Sequence, residues 1–477
     1  MAAEEPQKER ETMKFNKHPP GNRAAQLAKA AVLALLLLLL ASALIPPLFR
    51  PAAEDPGEPA FFGGERVACM DSNADAMVWR LRLIRSAQER LILSTFDLRP
   101  DETGLDILAA LQEAADRGVR IKILADGICG TMYLHGDAHF QALCAMPNVE
   151  AKSYNPIDLL KPWMLNYRMH DKYLIADDRA YLLGGRNTYD LFLREDLDRY
   201  NIDRDVLVYA PEPENGGSLG ALNAYFDEIW SLPESKTITP RETERVLDAR
   251  QALRQRAGSL EERYPGVSAP IDWQAQTYPA NRVALLTNPT LAGNKQPRLW
   301  TQLCSLMAQG REIRIQTPYI ICGRAMYRDL EVVRSQVQSL QVMTNAPEGG
   351  ANPFGCADFL NQKNRLLGLG AETFEWLGGQ SLHTKTVLID DNLSVIGSFN
   401  LDMRSTYLDT ELMVVVDCPQ LNAELRQGFD AMAKQSRIST SEGERLGEQC
   451  PQVRMPLGKT LLYTVLRVLL WPMRHLL

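Results

Sequence analysis

The chain has 477 residues, too many for one ordinary domain and enough for two of roughly 150–200 residues with extensions. Its 45% hydrophobic, 7% aromatic and 23% charged residues exclude a disordered chain and imply cores to fill. A net charge of −7 argues against a general nucleic-acid binder, which usually carries a basic footprint. Eight cysteines without a single C-x-x-C pair argue against a zinc site or a dense disulfide framework, and most are expected as small buried hydrophobes.

Residues 1–23 form a polar tail carrying Lys8, Arg10, Lys14, Lys17 and Arg23. Residues 24–49 follow as an apolar segment, uninterrupted from Ala30 to Ile45 and closed by Pro46-Pro47. As a helix the uninterrupted part rises about 24 Å against a hydrocarbon core of about 30 Å; Leu27, Ala28 and a snorkelling Lys29 supply the missing turn. The segment reads as an uncleaved transmembrane anchor. The rival is a cleaved signal peptide with Ala41-Ser42-Ala43 at its cleavage site, which the long polar tail disfavours. The basic tail, against Arg50 and Arg66 beyond the span, predicts a cell-membrane protein with a cytoplasmic N-terminus and an extracytoplasmic body. Residues 50–65 are expected to be a linker.

The first half, 66–235, alternates strands and helices. Leu91–Leu98, Val119–Asp126 and Val149–Tyr154 read as strands, and Leu105, Leu108, Ala109, Leu111 and Ala115 give one apolar helix face. The half then reads MHDKYLIADDRAYLLGGRN from Met169 to Asn187. Residues 236–275 form a second linker, opened by Thr239-Pro240 and continued by the charged stretch Glu242–Arg263, expected as an exposed helix.

The second half, 276–440, repeats the first. Ile313–Ile320, Leu340–Asn345 and Ala371–Trp376 match its strands, and Met326, Leu330 and Val333 match its helix face. LHTKTVLIDDNLSVIGSFN, from Leu382 to Asn400, lies over the first motif. His170 and His383, Lys172 and Lys385, Asp177 and Asp390, Gly184 and Gly397, Asn187 and Asn400 all correspond at one constant offset. Two duplicated α/β/α sandwich domains in a pseudo-twofold arrangement are predicted. Residues 441–477 end in PLGKTLLYTVLRVLLWPMRHLL, where a helical wheel gathers Lys459, Arg467 and Arg474 within about 80°. That pattern predicts an amphipathic helix in the headgroup region; the alternative is a last helix packed on the body.

Residues two apart on a strand share a face, so each motif brings an imidazole and an ammonium to one spot. Packing the halves face to face gives two histidines, Lys172, Lys385, Asn187 and Asn400 around one point. This set supplies a nucleophile, an acid opposite it, and a cationic cradle for a phosphate. Gly185 and Ser398 are expected beside the phosphate, where small residues let a ligand approach the backbone. Each histidine needs an orienting acceptor, for which Glu411 and Asp203 are the candidates, Asp203 preferred over Asp205 on the same face. Asp177 and Asp390 complete the catalytic motifs, and their position suits holding a strand-end turn better than touching substrate. Lysines two residues from each histidine would repel a cation, so no metal is expected.

HDKYLIAD with GGRN, and HTKTVLID with GSFNLDMRSTYLDTE, resemble the paired signatures of the phospholipase D superfamily. Across 66–438 the chain is most similar to bacterial cardiolipin synthases and their phospholipase D-like relatives. The resemblance implies a two-step phosphatidyl transfer through a phosphohistidine, with His170 as nucleophile, His383 as acid and then base, and no cofactor. It implies a phospholipid substrate at a membrane, with a second phospholipid, another alcohol or water as acceptor. A membrane-anchored nuclease of the same superfamily is the rival; no nucleic-acid partner and a monomer are expected.

Overall fold

A computed structural model describes residues 21–212 and 216–477; residues 1–20 of the predicted tail lie outside the described residues. The apolar segment is one helix, Gly21–Leu44, halted by a tight turn at Pro46–Leu48 because two consecutive prolines lack the N–H groups that would continue it. Ala25–Leu48 is a candidate membrane span with mean hydropathy 2.6, and only 6% of its most apolar stretch is covered by protein.

Among the described residues the body contains two large mixed sheets, of nine and ten strands. In the first the order runs Val149–Tyr154, Arg120–Asp126, Arg90–Thr95, Tyr173–Ala176, Ala180–Gly184, Asp205–Tyr209, Arg66–Met70. In the second it runs Glu372–Trp376, Ser339–Asn345, Glu312–Gln316, Thr386–Ile389, Leu393–Gly397, Leu412–Asp417, Arg282–Thr287. The two orders are the same, strand for strand, so the duplication predicted from the motifs extends through each sheet. Helices Gly217–Ser231 and Pro419–Ala433 lie between the halves, where Leu222, Phe226, Leu421 and Leu425 share one core with Val208 and Val414. Strands such as DVLVY and LMVVVD are buried on both faces, hence their unbroken apolar runs.

Three segments differ from expectation. The linker 50–65 is partly strand: Phe61–Phe62 pairs with Arg282–Thr287 in the second sheet, while Tyr278–Pro279 pairs with Arg66–Met70 in the first. Each half thus lends the other an edge strand, which covers backbone that would otherwise be exposed. The second linker carries a helix, Glu244–Gly258, that is docked on the first half rather than exposed. Val246, Ala249, Leu253 and Ala257 form a narrow helical stripe against that half, and Arg256 Nε pairs with the buried Asp106 at 2.7 Å. Charges on the other faces mask that stripe in the sequence.

The third difference is the C-terminal helix, Leu457–Leu470, whose Lys459 and Arg467, with Arg474 just beyond it, hydrogen-bond to the body. Lys459 Nζ donates to the Glu348 carbonyl at 2.8 Å, Arg467 Nε to Asn361 Oδ1 at 2.8 Å, and Arg474 Nη2 to the buried Asp358 at 2.7 Å. Tyr463 and Leu470 pack on Cys356 and Ala357. The leucine-rich side faces outward instead, with Leu457 89% and Val468 73% exposed. All eight cysteines are unpaired.

Candidate active site

The two motifs meet at the interface of the halves, and they meet crosswise. The His170 N–H donates to the carbonyl of Thr410, and the His383 N–H to that of Ile202, at 3.3 and 2.7 Å. Each motif strand is therefore hydrogen-bonded to the residue just before the other half's carboxylate. His170 Nδ1 then lies 2.9 Å from Glu411 Oε1, and His383 Nδ1 lies 2.5 Å from Asp203 Oδ2. Both predicted orienting residues hold a histidine, each one from the opposite half. Asp205 is instead ion-paired with Arg80 and Arg186. With Nδ1 donating to a carboxylate, Nε2 of each ring is the nitrogen left for chemistry.

The rings stand in closely similar settings. Phe96 packs edge-on against His170 with centroids 4.9 Å apart, and Phe192 against His383 at 4.8 Å. Lys172 Nζ donates to the His170 carbonyl at 2.5 Å; Lys385 Nζ lies 2.6 Å from His383 Nδ1 and 3.2 Å from its Nε2, and also donates to its own histidine's carbonyl. Burial pushes both ammonium groups down to about 8, against the pull of Glu411 and Asp203. Burial and the neighbouring lysine likewise lower His170 well below the usual range and His383 to about 4. Asn187 and Asn400 are buried, and their side-chain oxygens have no protein partner.

The carboxylates break the symmetry. Burial raises Glu411 to about 8 in spite of Lys172, and Ser398 and Ser405 both donate hydroxyl hydrogen bonds to it. Burial acts on Asp203 too, but Lys385 and His383 outweigh it and hold the acid at about 2.

Two groups of predicted residues sit elsewhere than expected. Gly185 and Ser398, read as phosphate neighbours, face the carboxylates: a Cβ on Gly185 would come within 2.4 Å of Asp203 Oδ1, and Ser398 Oγ donates to Glu411. Glycine makes room for Asp203, and serine fastens Glu411. Asp177 and Asp390 are at the far ends of the strands, and the five residue steps from each lysine span about 16 Å. Both adopt left-handed backbone, with φ of 52°, where aspartate is among the tolerated residues. The Asp177 carboxylate accepts the N–H groups of Gln88, Glu89 and Arg90, and Asp390 those of Arg311 and Glu312. Both motif aspartates thus hold strand-end turns, away from the histidine and lysine side chains.

Sequence reasoning missed Asp171, between His170 and Lys172. It is buried, accepts hydrogen bonds from Tyr225 at 2.8 Å and Thr410 at 2.9 Å, and burial pushes it up to about 7. Its counterpart is Thr384, so the H-D-K versus H-T-K difference was the available signal. Ser405 was also missed, within the quoted DMRSTYLDTE stretch. A cavity of about 670 Å³, reaching as far as Ser381 on the segment before His383, is lined by Arg199, Tyr200, Trp376, Lys459 and Leu462 as well. Among the described residues no group of three or more His, Cys, Asp or Glu side chains is arranged to hold a metal ion.

Residues 81–230 and 303–433 match the family described as cardiolipin synthase, PLD-like domain. Cardiolipin synthase C of Escherichia coli is 27% identical over 418 residues, covering 80% of this chain and 85% of that protein. An uncharacterized protein of Helicobacter pylori is 26% identical over 416 residues, covering 77% and 79%. Among solved structures, the phosphatidylserine synthase of Haemophilus influenzae superposes with a TM-score of 0.62 at 17% identity, covering 88% of this chain and 98% of that one, a likeness of fold.

Proposed function

The chain belongs to the cardiolipin synthase, phospholipase D-like domain family, and from that premise we propose that it transfers a phosphatidyl group from one phospholipid to an alcohol, most readily the headgroup glycerol of a second phospholipid. The observation that carries this reading is the crossed pair of histidine–carboxylate contacts, which puts two imidazoles in one site with opposite partners. In the first step His170 Nε2 attacks phosphorus, the bond to the leaving alcohol breaks, and His383 gives that alkoxide its proton. In the second, His383 takes a proton from the incoming alcohol, whose oxygen attacks phosphorus and expels His170. Lys172, Lys385, Asn187 and Asn400 hold the phosphoryl oxygens, where the developing charge is largest.

The unequal carboxylates support this division of labour. An ionised Asp203 favours the protonated form of His383, which burial and Lys385 otherwise hold down at about 4, whereas a Glu411 held high gives His170 no comparable support for a proton. An arriving phosphodiester anion offsets the field of the two lysines and raises the proton affinity of His383 further. The cavity that reaches Ser381, two residues before His383, combines the cations Arg199 and Lys459 with apolar wall, which suits a phospholipid. The apolar N-terminal helix anchors the protein where such substrates reside.

Purified protein incubated with labelled phosphatidylglycerol, with phosphatidylethanolamine, and with single-stranded DNA tests the reading. Cardiolipin is the expected product. Phosphatidic acid alone would make water the acceptor, and cleavage of DNA alone would overturn the lipid reading.

A further inference from the structure

We propose that the segment Ile157–Leu165, which leads directly into His170, is immersed in the bilayer as a second membrane contact beside the N-terminal helix. The inference rests on the reading that this helix crosses the membrane. The segment joins strand Val149–Tyr154 to the first motif and is unusually apolar for a surface loop. Leu159 and Leu160 are 82% and 85% exposed, and Ile157, Trp163 and Leu165 are also exposed. These exposed apolar side chains surround two exposed charges, Asp158 and Lys161, and an apolar patch edged by charge in this way marks a contact surface.

Its position identifies what covers it. The turn Pro162–Met164 packs against the N-terminal helix, and Asn166 Nδ2 donates to the carbonyl of Ala43, in that helix's last turn, at 2.7 Å. The exposed leucines therefore sit where the span meets the body. That level is fixed by several contacts. Asn294 Nδ2 donates to the Pro46 carbonyl at 2.7 Å, His475 Nε2 lies 3.0 Å from the Leu44 carbonyl, and the Arg50 guanidinium stacks over Tyr407. The C-terminal segment reaches the same place, with the leucine side of its helix exposed and its cations hydrogen-bonded to the body. A helix packed on a protein normally does the reverse. Apolar surroundings on that side satisfy both elements, so the occupant is lipid.

The loop is also latched to the site. Asn155 Nδ2 donates to the carbonyls of Met164 and Tyr167, while Arg404 Nη2 donates to the Asn166 carbonyl at 2.8 Å and pairs with Asp409 at 3.0 Å. Asp409 lies two residues before Glu411, the partner of His170. Contact with lipid thus bears on both members of that pair, and couples the site to a substrate still resident in the bilayer.

The test uses the full chain in vesicles of phosphatidylethanolamine and phosphatidylglycerol, with photoreactive benzoylphenylalanine at position 36, 160 or 247. Lipid adducts are expected at 36 and 160 and not at 247, on the exposed face of the Glu244–Gly258 helix. Adducts at 36 but not 160, or protein–protein adducts at 160, overturn the loop proposal and leave the anchor standing. Failure at 36 removes the anchor reading, and this proposal with it. A second arm pairs Leu159→Asp with Leu160→Asp. Turnover of vesicle phosphatidylglycerol is expected to fall about tenfold or more, with that of soluble short-chain phosphatidylglycerol kept. Equal loss on both substrates, or no loss on vesicles, overturns the proposal.

Discussion

His170 and His383 occupy closely matched positions in two halves of the same topology, yet their carboxylate partners differ. Burial holds Glu411 up at about 8, although the hydroxyl hydrogen bonds it accepts from Ser398 and Ser405 pull it down. Asp203 sits in the space left by Gly185, close to Lys385, and is held down at about 2. The difference teaches how a duplicated motif acquires two roles. The motifs supply the same imidazole and ammonium, and the residue from across the interface sets the surroundings of the two imidazoles apart.

The largest effect expected from breaking either side of this comparison is on the rings themselves. His170→Ala should lower turnover by about 10³-fold or more and abolish a covalent phosphoenzyme in rapid-quench trapping. A phosphoryl intermediate that still forms in this variant would transfer the nucleophile's role to His383. His383→Ala should lose turnover with alkoxide leaving groups to a similar degree. It should still form the intermediate from a p-nitrophenyl phosphodiester, whose leaving group needs no acid.

The carboxylates should separate next. Asp203→Asn is expected to cost about 10²-fold or more, because His383 loses its anionic partner. Glu411→Gln should cost only about tenfold, since a largely neutral acceptor is exchanged for another. Equal losses in kcat/KM would erase the proposed asymmetry.

The pH profile sharpens the shared part of the two sites. Lys172 and Lys385 are charged below about 8 and neutral above it, so kcat/KM should fall as pH rises through about 8. Arginine in place of either lysine should move that limb upward, if activity survives. The smallest effect belongs to the strand-end turns. Asp177→Ala should leave kcat within about twofold and lower folding stability by about 1–2 kcal/mol, read by thermal unfolding, because the carboxylate holds backbone N–H groups and touches no substrate.

Much of the site was legible because the duplication repeats residue identities at a constant spacing. Strand periodicity then put His170 with Lys172 and His383 with Lys385. Asp203 and Glu411 were recognisable as acidic residues opening strands after each motif. Which histidine each one serves was not legible, since the crossing depends on how the halves dock. The carboxylate contacts of Gly185 and Ser398 were not legible for the same reason: a small residue near a site can admit a ligand or a neighbouring carboxylate. The C-terminal helix shows a related limit. Its wheel revealed a basic stripe and an apolar side, but Glu348, Asn361 and Asp358, to which the cations hydrogen-bond, lie far upstream in the chain.

By itself the sequence determined the duplicated α/β halves, the paired histidine–lysine strands and the apolar N-terminal helix. Each of these follows from local periodicity or from repeated spacing. Only the tertiary structure decided the exchange of carboxylates between halves, the exchange of edge strands, and the outward leucines around Leu160 and Val468. These depend on contacts between residues distant in the chain, where packing and burial, rather than local pattern, select the partner.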